Sequence, residues 1–338
     1  MTTGLSTRTR PPRGALVWAA AAIAIGAVLL GVRLGSSALP ADALPATLRD
    51  LFTLGISVFV ESLPFVFLGT LLSILVQLWL PPAVFERILP RRPMLRRAVM
   101  SLFGVFLPVC ECGNVPLARG LMLRGFTVAE SLTFLLAAPI LNPVTIITTY
   151  QAFGWDNGIL VARIAGGFLV ANLLGWLVSR HPAQHALLTP RFEATCSHAH
   201  GHPGQSRLRR SALMFAEETS AMLPALAIGC LIAGIIQVGV PREVLVTLGA
   251  NPVWSVLALM ALAFVVSICS NVDAFFVLSF GSTFMPGAIV AFLVFGAMID
   301  IKMLALLRTT FTIGTLARIA LVVALCCIVL GFGVNLIV

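Results

Sequence analysis

Nine apolar runs follow one another through this chain, most of them close to the roughly 20 residues that a helix needs to cross a bilayer. They lie at 15–34 and at about 51–80, 98–118, 126–150, 158–180, 212–240, 253–272, 274–308 and 314–337. Of the 338 residues 59% are hydrophobic and only 10% are charged. A soluble domain needs about 25% charged residues to cover its surface, so the outside of this chain must face lipid. The expected class is all-α: a polytopic integral membrane protein of eight to nine hydrophobic segments in two repeats, with broken or re-entrant helices. The formal charge of +9 is no sign of nucleic-acid binding, because the basic residues sit in short clusters between apolar runs. Cytoplasmic loops of membrane proteins collect positive charge in that way.

Arginine placement orients the runs. Arg8, Arg10 and Arg13 precede the first, five arginines lie between Arg87 and Arg97, and five more lie in 180–210 with all five histidines. These segments are expected inside the cell, whereas 35–50 and 150–157, holding only Arg49, are expected outside. The run at 15–34 is read as a retained helix, since the apolar core of a cleavable signal is usually about 7–15 residues. The run at 98–118 starts inside, yet the next run must also start inside. It is therefore expected to enter and return, or to break, at Pro108, Gly113 and Pro116. The resulting division is 1–14 as a cytoplasmic tail, 15–50 as a first helix and outer loop, 51–180 as one repeat, 181–211 as a cytoplasmic His-rich linker, and 212–338 as a second repeat.

The repeat shows as correspondences in constant order. Leu63-Pro64 recurs as Leu223-Pro224 and Pro81 as Pro241, 160 residues on; Cys112-Gly113-Asn114-Val115 recurs as Cys269-Ser270-Asn271-Val272, 157 on. Ala162-Arg163-Ile164-Ala165 recurs as Ala317-Arg318-Ile319-Ala320, 155 on. The loop before the cysteine motif is arginine-rich in the first repeat, but before the second it holds only Arg242, beside Glu243. Opposite orientation follows, as in the inverted repeats of many secondary transporters; a parallel arrangement is the alternative.

Several enzyme classes are excluded by inventory. Lys302 is the only lysine and follows Ile301, so no Gly-Lys phosphate loop exists. No His-Glu-x-x-His pair or Gly-x-Ser-x-Gly elbow occurs. No enzymatic activity and no cofactor are expected, and the seven cysteines, mostly in apolar runs, read as free thiols.

What remains is a set of polar residues inside apolar runs. Cys110-Glu111-Cys112-Gly113-Asn114-Val115-Pro116 and Cys269-Ser270-Asn271-Val272-Asp273 hold equivalent places. Paired interruptions at matching positions are the sequence pointer to a midplane binding site, and ionisable groups there are functional by default. The plainer reading is that Glu111 and Asp273 pair with arginines such as Arg163 or Arg318. Glu61, near the centre of its run, Asn142 beside Pro143, and Asp300 with Lys302 are further candidates; Asp300 and Lys302 read equally as a structural ion pair. Thiolates suit soft ions, so Cys110, Cys112 and Cys269 are candidate ligands, although membrane cysteines also serve as small apolar residues. Cys230, Cys326 and Cys327 read as packing. Cys196, His198, His200 and His202 form a short tract that could hold a metal loosely or simply join the halves.

These motifs resemble a bacterial family of predicted permeases that includes the ArsP-type exporters of trivalent organoarsenicals. The resemblance covers about 50–338. It rests on Glu61 with Pro64, Cys110 to Pro116, Ala138-Pro139-Ile140-Leu141-Asn142-Pro143, Cys269 to Asp273, and Asp300-Ile301-Lys302. It implies an inner-membrane permease with around eight helices, whose partners are the lipid bilayer and a small solute or ion. The expected function is a secondary permease exporting a soft metalloid or metal species. The alternatives are a membrane subunit working with an accessory membrane or periplasmic protein, and an intramembrane thiol oxidoreductase using Cys110 and Cys112.

Overall fold

The computed structural model describes residues 46–107, 109–155, 157–197, 206–239, 252–279, 281 and 284–337. The expected helix at 15–34, Pro108, Arg242 with Glu243, and the histidines at 198, 200 and 202 lie outside the described residues. Every described element is helical. The first half comprises α1 (Ala46–Ile74), prolonged by a wider turn to Trp79, then α2 (Pro82–Ile88), α3 (Pro93–Leu102), α4 (Glu111–Leu123), α5 (Val128–Leu141), α6 (Pro143–Phe153) and α7 (Ile159–Ser179). After α8 (Pro190–Ser197), the second half comprises α9 (Arg207–Gly239), α10 (Pro252–Val266), α11 (Asp273–Leu278), α12 (Pro286–Met298), α13 (Ile301–Leu307) and α14 (Ile313–Ile337).

Six stretches are long and apolar enough to cross a bilayer: Leu48–Trp79, Val128–Phe153, Ile159–Ser179, Arg207–Gly239, Pro286–Leu307 and Ile313–Ile337. Two of them are broken, at equivalent points of the two halves. Asn142 ends α5 in an extended conformation and caps α6, its side chain accepting from Val144 N at 2.9 Å, with Pro143 in the first turn. Asp300 does the same between α12 and α13, accepting from Met303 N at 2.6 Å. A short polar side chain that bonds the first free N–H groups lets a helix restart after a break. The expected single run at 274–308 is thus divided among α11, α12 and α13.

The stretch from α3 to α4 enters and returns. Arg96, at the start of α3, pairs at 2.7 Å with Glu130, which follows α4. Phe85, before α3, packs edge-on against Phe126, after α4. Both ends of the hairpin therefore lie on the arginine-rich side, and the chain between them is non-helical at Leu107, Val109 and Cys110; Gly113 and Pro116, expected as break points, instead lie inside α4. In the second half the equivalent unwinding follows α10, where Ser267 takes a left-handed conformation (φ 51°) that a residue with a β-carbon adopts only at a cost.

The halves are inverted. Helices α1 and α9, which are repeat equivalents, pack along one another: Leu51 and Gly55 lie against Gly234, Gly55 against Cys230, and Trp79 Nε1 reaches Ser211 Oγ at 3.4 Å. Low numbers on one helix meet high numbers on the other, so the two run antiparallel. The segment between the halves is stitched to the α13–α14 corner, with Thr189 N bonded to Thr310 O at 2.8 Å and Thr312 N to Leu187 O at 3.1 Å. Helix α9 begins at Arg207, within the segment read as linker.

Candidate functional site

Four helix starts meet near the middle of the molecule: those of α4, α6, α11 and α13. The carbonyl of Val109, in the first unwound stretch, accepts from Asn142 Nδ2 at 3.1 Å and from Asn114 Nδ2 at 3.4 Å. Asn271, in the second stretch, accepts from Thr145 of α6 at 3.2 Å. Irregular backbone survives at membrane depth only where protein or water supplies partners; the first half supplies them to its own stretch through Asn142 and Asn114, and to the second stretch through Glu111 and Arg163.

Glu111, 1% exposed, joins all of this. Its Oε2 accepts from Ser270 Oγ at 3.0 Å and, more weakly, from Ser270 N at 3.4 Å and Cys269 Sγ at 3.9 Å. Its Oε1 lies 2.9 Å from Lys302 Nζ, an ion pair without an aligned hydrogen bond. Lys302, 2% exposed, lies 3.8 Å from Asp300 Oδ2 as well. The lysine therefore belongs first to Glu111, across the two halves, rather than to its near neighbour in sequence. Asp273 pairs with Arg163 of α7 in a two-pronged contact, at 3.0 and 2.6 Å, and Arg163 also donates to Thr149 Oγ1 at 2.7 Å. Of three buried carboxylates, Glu111 and Asp273 are thus matched by cations, and Asp300 shares the cation of Glu111. The cluster holds one more carboxylate than cations.

The thiols converge on the same place. Cys269 Sγ approaches Glu111, which stands between Cys110 and Cys112 in the chain. Ligand atoms of Cys110, Glu111 and Cys112 lie within 4.8 Å of one another. Cys112 Sγ also approaches Ser62 Oγ at 3.7 Å. Pro116 removes the helical donor that the Cys112 carbonyl would otherwise have, and Asn114 Oδ1 is buried without a partner among the described residues. Sulfur, carboxylate and free oxygen groups are therefore gathered in one buried volume. Its position is held by a close helix crossing: a β-carbon on Gly69 of α1 would fall 2.0 Å from the Gly113 carbonyl oxygen.

Of the residues singled out from sequence, Cys110, Glu111, Cys112, Asn114, Asn142, Cys269, Asn271, Asp273 and Asp300 are brought together. Glu61 is not. It lies on the exposed face of α1 and meets no partner among the described residues, while its neighbour Ser62 turns inward. Its depth in the helix is as expected but its face is the opposite one. A charged carboxylate at the centre of a membrane helix costs about 2.5–3.5 kcal/mol on insertion scales. Cys196 lies on α8, outside the spans, where burial pushes its thiol above the usual range.

A buried arginine escaped the sequence reading. Arg119 of α4 pairs with Glu218 of α9 at 2.5 Å, donates to Thr309 O and Thr310 Oγ1 at 3.2 and 3.0 Å, and lies 4.2 Å from the centre of the Phe192 ring. It ties the first half to the second on the arginine-rich side, as Arg163 does toward the other. An arginine within an apolar stretch was the available signal.

Comparison with known proteins agrees with this architecture. The chain is 36% identical over 256 residues, 76% of its length and 87% of the relative's, to the UPF0718 protein YcgR of Bacillus subtilis. It is 29% identical over 295 residues, 85% of its length and 97% of the relative's, to a putative two-component membrane permease complex subunit of Streptococcus mutans. A weaker match, 26% over 113 residues, covers about a third of the chain and of the UPF0718 protein YraQ of Escherichia coli. No solved structure matches. A family model described as "predicted permease", ArsP_1, matches residues 47–336. With six spans and a match along nearly all its described length, the chain is a multi-pass protein of the bacterial inner membrane and belongs to this family of predicted permeases.

Proposed function

We propose that the chain is a secondary permease that receives a small, soft solute among Cys110, Cys112 and Cys269, and exports it. One observation carries the reading: three thiols gather about Glu111, with one more carboxylate than cations, where unwound stretches from inverted halves meet. Soft metal or metalloid species take thiolate ligands, and a singly methylated trivalent arsenical offers two exchangeable positions, which Cys110 and Cys112 can fill. Glu111 and Lys302 neutralise each other while the site is empty. A solute bound by the thiols competes for Glu111 and loosens the pair. The inter-half contacts of Arg119 and Arg163 lie to either side of this point, so opening one while the other stays closed gives alternating access. Asp300, Asn114, Asn142, Asn271 and Asp273 shape the walls.

The test is resistance. Cells lacking their own metal and arsenical exporters, expressing the chain, are challenged with trivalent methylarsenite and a panel of soft ions. The Cys110→Ser, Cys112→Ser variant is expected to lose resistance while protein amounts stay normal; unchanged resistance removes the thiols from the mechanism. A second reading is favoured by the Streptococcus relative's description: the chain works as one subunit of a two-component permease. Flux in liposomes containing the purified chain alone separates the two readings.

A further inference from the structure

We propose that the outward face of α1 around Glu61 is a docking surface for a membrane helix of a different protein, one carrying a basic or amide side chain near the middle of its span. The proposal rests on the two-subunit reading above and gives that reading a place on the molecule.

Thr53, Ser57 and Glu61 follow at intervals of four on α1, so they lie on one face, and all three are exposed. Thr53 turns its hydroxyl back to Arg49 O at 2.8 Å. Ser57 and Glu61 are left facing outward. One turn further, exposed Pro64 deprives the Val60 carbonyl of its helical donor, and Val60 is itself exposed. The patch is therefore rich in acceptors: a carboxylate, a hydroxyl and a freed carbonyl. It calls for donors.

Depth excludes lipid headgroups as the source. Glu61 lies 13 residues from Leu48 and 18 from Trp79, the ends of its span, or about 20 and 27 Å along the helix at 1.5 Å per residue. A second copy of the chain offers nothing suitable either. Among the described residues, the exposed basic and amide side chains within spans are Arg49, Gln151, Arg207, Arg209 and Arg318, each within six residues of a span's end. The apolar run at 15–34 contains no charged, amide or hydroxyl side chain before Arg33, and its indole donor, Trp18, is close to one end of the run. The complement to Glu61 must come from another protein.

The test uses the full chain in its own cells, with a photo-crosslinking residue at Ser57 or Leu68 on this face, or at Leu325 on α14 as the control. The expected result is one adduct from the first two positions and none from the third. The captured protein should have a span with Arg, Lys, His, Asn or Gln near its middle. Glu61→Leu, which lipid tolerates, should cut the adduct at least tenfold while the yield of folded chain is unchanged. Glu61→Lys should abolish it, with recovery when the partner's basic residue is replaced by Glu. An adduct only with a second copy or with lipid, or one indifferent to Glu61→Leu, overturns the proposal. Full solute flux from the purified chain in liposomes instead overturns the two-subunit reading itself, so the two failures are distinct.

Discussion

In the first half, the unwound stretch ahead of α4 brings two thiols and a carboxylate to the centre; in the second, the equivalent stretch brings one thiol, a hydroxyl and an amide. The cation comes from the other break, at Lys302, whose counterpart beside Asn142 is uncharged. Duplication has kept the places where the backbone bends and let the side chains diverge. The difference teaches that neither half is electrically complete. Glu111 would be an unpaired buried anion without the second half, and Asp273 would be one without Arg163 of the first. The charges join the halves as much as the packing does.

The sharpest way to break this comparison is to strand one charge. Lys302→Met leaves Glu111 uncompensated, and losing one partner of a buried pair costs about 3–5 kcal/mol. A large fall in melting temperature in detergent is expected, with much of it regained in Lys302→Met, Glu111→Gln. A double variant no better than the single would show that Glu111 is not the partner that matters.

Next in size is a test of the helix crossings, which differ between halves. Gly69 and Gly229 are repeat equivalents, 160 apart. A β-carbon on Gly69 would meet backbone at 2.0 Å, while one on Gly229 would meet the Ala305 β-carbon at 2.8 Å and Lys302 Cα at 3.0 Å. Overpacking costs about 1–3 kcal/mol or more. Gly69→Ala should lie at or above the top of that range and Gly229→Ala near the bottom, read as melting temperatures side by side. Equal losses would mean that the two crossings are equally tight.

A smaller effect separates the two breaks. Asn142→Ala and Asp300→Ala each remove a cap worth about 1 kcal/mol. Asp300→Asn keeps the cap and removes the third carboxylate, so it should leave stability almost unchanged while altering uptake of a cationic probe relative to an uncharged one. The smallest change is expected from the thiols. Cys269→Ser and Cys326→Ser should each move stability by under about 1.5 kcal/mol, because the new hydroxyl has an acceptor in reach, Glu111 for the first and its own helix backbone for the second. Only the first should slow reaction of the folded chain with a soft electrophile.

Much of this was legible in the sequence because breaks announce themselves. Proline and polar residues inside apolar runs, at Cys110, Asn142-Pro143 and Asp300, marked the places where helices stop, whereas Gly113 and Pro116, expected to break the chain too, lie inside α4. Pairing was harder. Lys302 stands two residues from Asp300, yet its ammonium is nearer Glu111, since proximity in space is set by how the halves interlock. Glu61 shows another limit. Helix α1 is apolar around most of its circumference, so sequence gave its depth but not which face turns inward. The hydroxyls of Ser62, Thr145 and Thr149 carried no signal at all, because serine and threonine in membrane helices commonly bond their own backbone.

Lys302 has one more consequence. It is the chain's only lysine, and it sits at the meeting point of the halves with almost no surface of its own. Apart from the chain terminus, a reagent that acylates primary amines has a single target, reachable only when water is admitted to the centre. The rate of that modification is a built-in clock for how often the molecule opens.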